Sequence, residues 1–302
     1  MEQFPFVRDI AASATWSLIK PIDKGWSRDK KYYIESNSGE RYLLRLADAK
    51  YSEAKQREYQ VMAGVAKLGL NMSQPLDLGV CGEGQYVYTL LTWVEGLPLD
   101  EVVTTFSNEA QYKLGAKAGV ILRTLHSIPA PPEQECWEQR MCRKIALHLE
   151  KYRACGIQVA GEEHAMQYIE QNLSLLAHRP QVFQHGDYHV GNLILTSDGS
   201  LGVIDFNRWD YGDPWEEFYK MMLFSRELSI PFAKGQLHGY FGGEAPDLFY
   251  RLLALYLADV ILFSVVWAIP FGSDEVEGMV KRALMVMDDY ATFRTHRPSW
   301  AR

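Results

Sequence analysis

Two polar clusters in the second half of this 302-residue chain enclose one short apolar segment: His185-Gly186-Asp187-Tyr188-His189-Val190-Gly191-Asn192 and Val203-Ile204-Asp205-Phe206. Between them, Leu193-Ile194-Leu195 reads as a strand, Ser197-Asp198-Gly199-Ser200 as a tight turn, and Leu201 to Ile204 as the returning strand. A hairpin here predicts that Asn192, at the start of one strand, lies beside Asp205, at the end of the other. Asp187 enters the same region from the preceding loop. An ordinary polar turn with a surface aspartate would give the same hairpin, but would not need this set of oxygen-bearing groups on both flanks.

The chemistry of the three side chains is specific. A lone carboxylate, Asp187, can orient a hydroxyl, while an amide and a carboxylate, Asn192 and Asp205, can hold magnesium, a hard cation that takes oxygen ligands and completes its shell with water and phosphates. Phosphoryl transfer requires little covalent help from a protein and depends on positioning and charge neutralisation. The expected reaction class is therefore phosphoryl transfer.

The first third of the chain reads as a β-sheet with one helix. Leu18 to Ile22, Lys31 to Glu35 and Arg41 to Leu46 are the expected strands, with turns at Lys24-Gly25-Trp26-Ser27-Arg28-Asp29 and Asn37-Ser38-Gly39. The first turn can lay backbone N–H groups and the Ser27 hydroxyl over phosphates. A helix is expected from about Ser52 to Leu68, with the apolar stripe Val61, Met62, Val65, Leu68. Glu58 falls on that stripe, so its carboxylate needs a cationic partner, and Arg45 on the preceding strand is the candidate. Gln85 to Thr92 forms a further apolar strand running into Trp93-Val94-Glu95-Gly96-Leu97-Pro98, where Gly and Pro mark a change of direction.

These residues together resemble the aminoglycoside phosphotransferase family, a branch of the protein-kinase-like fold whose pattern is His-Gly-Asp-x-His-x-Gly-Asn followed by Ile-Asp-Phe. The resemblance runs in segments from about Trp16 to Glu217. It implies an α+β, bilobal protein-kinase-like fold: a small antiparallel β-sheet N-lobe plus one helix over residues 1–94, a hinge at about 92–97, and a larger, mainly helical C-lobe with a catalytic β-hairpin over 95–302. By the same resemblance Asp187 is the catalytic Asp and Asn192 and Asp205 are the magnesium ligands. Ser27 lies in the nucleotide-positioning loop, Arg45 contacts phosphates and pairs with Glu58, and backbone groups of Thr92 and Val94 read the adenine edge. ATP with magnesium is the implied donor, with GTP as an alternative. Arg45 stands where the family carries Lys, which leaves open a nucleotide-binding pseudokinase; Arg is a planar fork and not an equivalent of Lys. Asn207 replaces the Gly of Asp-Phe-Gly, and Ala-Pro-Glu is missing, which disfavours a protein kinase. No Gly-x-x-x-x-Gly-Lys-Ser/Thr occurs, which disfavours a P-loop kinase.

Charge narrows the acceptor. The formal net charge is −7, distributed as +1 over the first 94 residues and −8 over the remainder. An acidic second lobe argues against nucleic acid as a partner and suits a cationic acceptor, so an aminoglycoside-like antibiotic is the favoured substrate, with a resistance role attached. Choline, ethanolamine, homoserine, a sugar or a macrolide are alternatives that the same fold serves. Substrate-contacting residues are not identifiable by sequence; Asp210, Glu216, Glu217, Asp259, Glu275 and Glu277 are candidates no better than solvated or structural carboxylates. His185 and Asp213 read as structural, the latter as a helix cap.

The remaining signals concern compartment and helices. Cys81, Cys136, Cys142 and Cys155 show neither disulfide nor metal spacing, and the N-terminus reads as no leader, so a cytoplasmic location is expected. Leu252 to Ile269 is apolar, but Asp259 at its centre would cost roughly 2.5–3.5 kcal/mol in a bilayer, so a buried helix and no membrane partner are expected. Further helices are predicted at Glu109 to His126, capped by Asn108, at Gln134 to Tyr152 and at Glu162 to Ala177.

Overall fold

The computed structural model describes residues 4–23 and 29–301. In chain order its main elements are β1 (Trp16–Ile22), β2 (Lys30–Ser36), β3 (Arg41–Asp48), α1 (Ser52–Ala66), β4 (Pro75–Cys81), β5 (Tyr86–Thr92), β6 (Leu97–Pro98), α2 (Leu99–Val102), α3 (Asn108–Leu125), α4 (Trp137–Ala154), α5 (Glu162–Asn172), β7 (Val182–Gln184), β8 (Leu193–Leu195), β9 (Leu201–Val203), β10 (Asp210–Gly212), α6 (Phe218–Lys220), α7 (Arg226–Leu228), α8 (Ile230–Phe241), α9 (Asp247–Ala268) and α10 (Ser273–Asp289). Packing resolves them into two compact units, Met1–Leu97 with Ile194–Asn207, and Pro98–Leu193 with Arg208–Arg302.

The first unit is a five-stranded antiparallel sheet in the order β1-β2-β3-β5-β4. In β2 the alternation of buried Tyr32, Ile34 and Ser36 with more exposed neighbours is the period of a strand covered on one face. Tyr32 and Ile34 join Val7, Ile10, Trp16, Leu44, Leu46, Tyr88 and Leu90 in one core. Helix α1 packs on β4 and β5, burying Glu58, Met62 and Val65. Strand β4 has no counterpart in the sequence reading. Its Pro and Gly, and its half-exposed edge, break the alternation that identifies a strand. The segment 194–207 belongs to this unit because Val203 is bonded to residues 71–73: Val203 N donates to Asn71 O at 2.9 Å and Ser73 N donates to Val203 O at 3.2 Å.

The second unit is mainly helical. Helices α3 and α8 are in backbone contact through four glycines: a Cβ on Gly115 would lie 2.0 Å from Phe232 O, on Gly119 2.1 Å from Gln236 O, on Gly235 2.1 Å from Tyr112 O, and on Gly239 2.0 Å from Ala116 O. The pairs Gly115/Gly119 and Gly235/Gly239 are each four residues apart, so both glycines of each helix share one face. The N-cap of α3 is Ser107, whose side chain accepts from Ala110 N, rather than Asn108. Helix α4 begins at Trp137 and α5 ends at Asn172, followed by a 3₁₀ turn to Leu176.

Helix α9 is long and apolar enough to cross a membrane, yet 72% of its most apolar window is buried within the protein. It packs on α4, α5 and α10. Asp259 at its centre is fully buried and accepts from His148 Nδ1 at 2.8 Å, and His148 stacks on Phe263 with centroids 3.6 Å apart. A buried carboxylate requires such a partner. Asp213 likewise has a structural role: Arg179 grips it with two N–H groups at 2.6 and 2.9 Å, Tyr256 donates to it at 2.6 Å, and it receives Trp215 N at 2.9 Å.

Candidate active site

In the second unit, the loop after β7 is held from one side by the segment 217–225. The Glu217 carboxylate accepts from Gly186 N at 2.5 Å and from His185 N at 3.2 Å, and is itself bonded to His126 Nε2 at 2.9 Å. At the end of the π-helical turn Met221–Ser225 that follows α6, Ser225 Oγ accepts from Val190 N at 3.0 Å. Single π-turns of this kind recur at functional sites. Glu217, just before α6, and Ser225, at the end of the turn, thus both bond the same loop. Tyr188 is buried and donates to Ala118 O at 2.7 Å, and His185 is fully buried with its Nδ1 accepting Asp187 N at 3.2 Å. Gly186 has φ +78°, and a Cβ there would stand 1.9 Å from Arg208 O, so only glycine permits the turn.

Asp187 is thereby presented with its carboxylate among basic side chains. Lys220 Nζ lies 2.7 Å from Oδ1, His189 Nε2 lies 3.7 Å from Oδ1, and Arg208 Nε lies 3.8 Å from Oδ2. Burial pushes the Asp187 carboxyl up, but Lys220, His189 and Arg208 together outweigh it and leave the pKa at about 2. Burial lowers His189 to about 4, against the pull of Asp187, so its imidazole is neutral at physiological pH. His189 Nδ1 accepts from Gly191 N at 3.1 Å, which puts the ring proton on Nε2, toward Asp187. Asn192 donates Nδ2 to Asp187 O at 2.8 Å. That bond fixes which end of the amide is which, and leaves Oδ1 as the end that can accept a cation.

In the first unit, Arg45 on β3 is 3% exposed and joins two carboxylates. Its Nε and Nη2 reach Asp29 Oδ2 at 3.1 and 2.9 Å, and its Nη1 reaches Asp205 Oδ1 at 3.0 Å. Lys55, on α1, bonds Asp29 at 2.6 Å and Glu58 at 2.9 Å. Burial acts against the Arg45 charge, but Asp205, Glu58 and Asp29 outweigh it and hold the guanidinium above its ordinary pKa. Lys31 faces the same group across the β2–β3 register, where it is opposite Arg45. Burial lowers its pKa and Asp205 opposes that. Asp205 has φ +66°, the left-handed region that Asp tolerates better than most residues and that clusters at functional positions.

The sequence-predicted residues thus fall in two groups: Asp187 and Asn192 meet directly in the second unit, and Arg45, Glu58 and Asp205 belong to one charged cluster in the first. Thr92 ends β5 and is tied to Gln74 through both its N–H and its Oγ1, and Val94 is buried with its side chain against Gly202. Ser27 lies outside the described residues. Sequence reasoning missed Asp29, Lys31, Lys55, Arg208 and Lys220. Lys31 was legible once β2 and β3 were paired, whereas nothing in the local pattern around Lys220 points back to Asp187.

A cavity of about 210 Å³ in the second unit adjoins this loop, lined in part by Trp137, Arg140, Lys144, Gly186, Arg208 and Tyr219. Its two carboxylates, Asp210 and Glu216, are each paired, with Arg140 and Lys144 respectively, at 3.0 Å.

Comparison with known proteins gives a consistent picture. The model of the phosphotransferase enzyme family matches residues 18–250. No curated protein matches the sequence at a significant level. Among solved structures, the chain is similar to a thermostable mutant of the aminoglycoside phosphotransferase APH(4)-Ia in a ternary complex with ADP and hygromycin B, with TM-score 0.68, 17% identity, and 92% of this chain and 95% of that chain covered. It is also similar to an APH(2")-type phosphotransferase complexed with GDP and kanamycin, with TM-score 0.67, 13% identity and 94% and 97% coverage. A choline/ethanolamine kinase family protein from Mesorhizobium loti has TM-score 0.69, 17% identity and 98% and 96% coverage. The fold is the kinase-like α+β fold of these proteins.

Proposed function

Because this chain belongs to the phosphotransferase enzyme family and is a small-molecule phosphotransferase, we propose that it transfers the γ-phosphoryl group of ATP, with magnesium, to a hydroxyl of a small molecule, with Asp187 as the catalytic residue. The observation that carries this reading is the held carboxylate: Asp187 is ionised, partly buried, bonded on one oxygen to Lys220, and fixed by a loop whose backbone is clamped at three points.

A carboxylate with a pKa of about 2 is a weak base. It orients the acceptor hydroxyl for attack on the γ-phosphorus and takes the proton late, which suits a loose transition state in which the nucleophile needs little activation. Lys220 and Arg208 supply positive charge beside that carboxylate. Arg45, Lys31 and Lys55 supply it in the first unit, where Arg45 would meet phosphates while keeping Asp29 and Asp205 in place. Thr92 and Val94 would offer backbone groups to the base, and Ser27 its hydroxyl to phosphate.

The donor set fits magnesium. The Asn192 amide has its nitrogen committed to Asp187 O, and one Asp205 oxygen is committed to Arg45, so each offers a remaining hard oxygen. Magnesium, when bound by Asn192 and Asp205, would neutralise charge on the phosphate oxygens.

The ligands of similar structures support this reading: ADP with hygromycin B in one, GDP with kanamycin in another. They make ATP and GTP the donors to compare, and put aminoglycosides and small amino alcohols in the acceptor panel. The test is an acceptor panel with γ-labelled ATP or GTP and mass determination of the product. An increase of one phosphoryl mass on a hydroxyl acceptor, lost in Asp187→Asn, is expected. ATP binding with no transfer to any acceptor, and no release of ADP, would favour a nucleotide-binding pseudokinase instead.

A further inference from the structure

The cavity beside Gly186 is lined by more basic than acidic side chains. Its walls carry Arg140, Lys144 and Arg208 against Asp210 and Glu216. Each carboxylate already has a basic partner: Asp210 has Arg140, and Glu216 has Lys144 together with the Gln184 amide at 3.2 Å. Beyond the wall, Glu217 is bonded to His126 and two loop N–H groups, Asp187 to Lys220, and the buried Asp259, which acts on Lys144 from behind, to His148 through one oxygen. An ammonium group entering here meets three cations in the wall and two lining carboxylates that are already paired.

The unused capacity of the cavity is of the donor type. Arg208 lies 3.8 Å from Asp187 through Nε, beyond hydrogen-bond distance, and its guanidinium lies over the Trp267 ring at 5.7 Å. The planar fork of an arginine matches an oxyanion with two parallel N–H groups. Lys144 uses one N–H on Glu216 and its side chain is 42% exposed, which leaves further N–H donors on a residue of the cavity wall. Trp137 and Tyr219 add apolar wall.

Resting on the phosphotransferase reading above, we propose that this cavity binds an oxyanion group of the acceptor, a carboxylate or a phosphate, through Arg208 and Lys144, so that the acceptor is a hydroxylated anion and not a polyamine. Gly186 lines the cavity and Asp187 follows it in the chain, so an acceptor held there by its anionic end presents a nearby hydroxyl to the catalytic carboxylate. The acidic balance of the whole second half of the chain is no guide to this site, because the local carboxylates are already neutralised.

The test uses matched pairs on the full-length protein: D-gluconate against D-glucose, D-glycerate against glycerol, and kanamycin as the polycation. Binding is measured by calorimetry with a non-hydrolysable ATP analogue present, and ADP release is measured with ATP. The acid of each pair is expected to bind or react at least about tenfold better than its neutral partner, the effect of one charge-assisted hydrogen bond. Lys144→Gln should erase that ratio without changing affinity for the ATP analogue, and added salt should weaken the acids but not the neutral partners. Equal binding within pairs, no binding by any acid, preference for kanamycin, or a ratio unchanged in Lys144→Gln would each overturn the proposal. Selective binding of the acids without ADP release from any acceptor would leave the anion site standing and sink the phosphotransfer reading instead.

Discussion

Lys220 Nζ lies 2.7 Å from Asp187 Oδ1, and the two side chains are only 9% and 18% exposed. In such a pair each charge makes the other tolerable: burial drives the Asp187 carboxyl up and the Lys220 ammonium down, and their mutual attraction opposes both. The folded pKa of Asp187 is depressed to about 2, so its stabilising contribution is present above the ordinary carboxylate pKa and is lost as pH falls toward 2. Across the range in which the protein is used, wild-type kcat/KM should therefore show no acid limb from Asp187. In Lys220→Met the desolvation is less opposed and an acid limb should appear at higher pH, with kcat reduced about tenfold or more. Lys220→Arg should restore most of the rate. Asp187→Asn should lose about 10²–10⁴ in kcat while nucleotide affinity measured by calorimetry stays within a few fold.

His189 predicts a loss of stability with falling pH as well, in a window above that of Asp187. Its pKa falls from 6.5 to about 4 on folding, chiefly through burial. Between those values the unfolded chain binds a proton that the native state excludes, so stability decreases as pH drops from about 6.5 to about 4, by at most about 3 kcal/mol. His189→Asn keeps an acceptor for Gly191 N but does not titrate. Urea midpoints measured at several pH values should slope in the wild type and flatten in the variant; parallel slopes would remove His189 as the cause.

Arg45 separates charge from geometry. Arg45→Met leaves Asp29 and Asp205 without the guanidinium that joins them, and breaking a buried pair this way costs about 3–5 kcal/mol, reduced to the extent that Lys31 and Lys55 compensate. Arg45→Lys keeps the charge but cannot reach both carboxylates with separate N–H groups, so a smaller loss of about 1–2 kcal/mol is expected. Chemical denaturation resolves the two. Calorimetric titration of ATP with and without magnesium should show weaker magnesium-dependent binding in both variants and in Asp205→Ala, because Asp205 loses its anchor or its charge.

How far the sequence reads depends on whether the signal is local. Asp187, Asn192 and Asp205 stand out because their motifs are contiguous and flanked by apolar strands, and β1, β2, β3, β5 and α1 follow from alternation and an apolar stripe. Glu58 was recognised as buried because it falls on that stripe, yet its bonded partner is Lys55, three residues away on the same helix, an ordinary surface-type spacing. Lys220 and Arg208 lie 33 and 21 residues beyond Asp187 and converge on it only through the turn at Gly186 and the 217–225 segment. Charge pattern counts carboxylates without showing which of them are already paired, as Asp210 is with Arg140 and Glu216 with Lys144.

The glycines of α3 and α8 were legible and went unread: Gly115-Ala-Lys-Ala-Gly119 and Gly235-Gln-Leu-His-Gly239 each show the four-residue spacing of a close helix crossing. Two opposing effects meet in Gly235→Ala. Replacing a helical glycine gains up to about 1 kcal/mol of intrinsic propensity, but the new Cβ would stand 2.1 Å from Tyr112 O, a backbone atom that can move only with its helix. Forcing the helices apart costs about 1–3 kcal/mol or more and loosens α3, whose Ala118 carbonyl receives the Tyr188 hydroxyl beside Asp187. The clash wins, and Gly235→Ala should lower the urea midpoint and reduce turnover. Gly64→Ala is the matched control: this exposed position in α1 has nothing within 4 Å of the added Cβ, so the propensity gain stands alone and the midpoint should rise. Midpoints that move in the same direction in both variants would mean that propensity, and not the crossing, sets the sign.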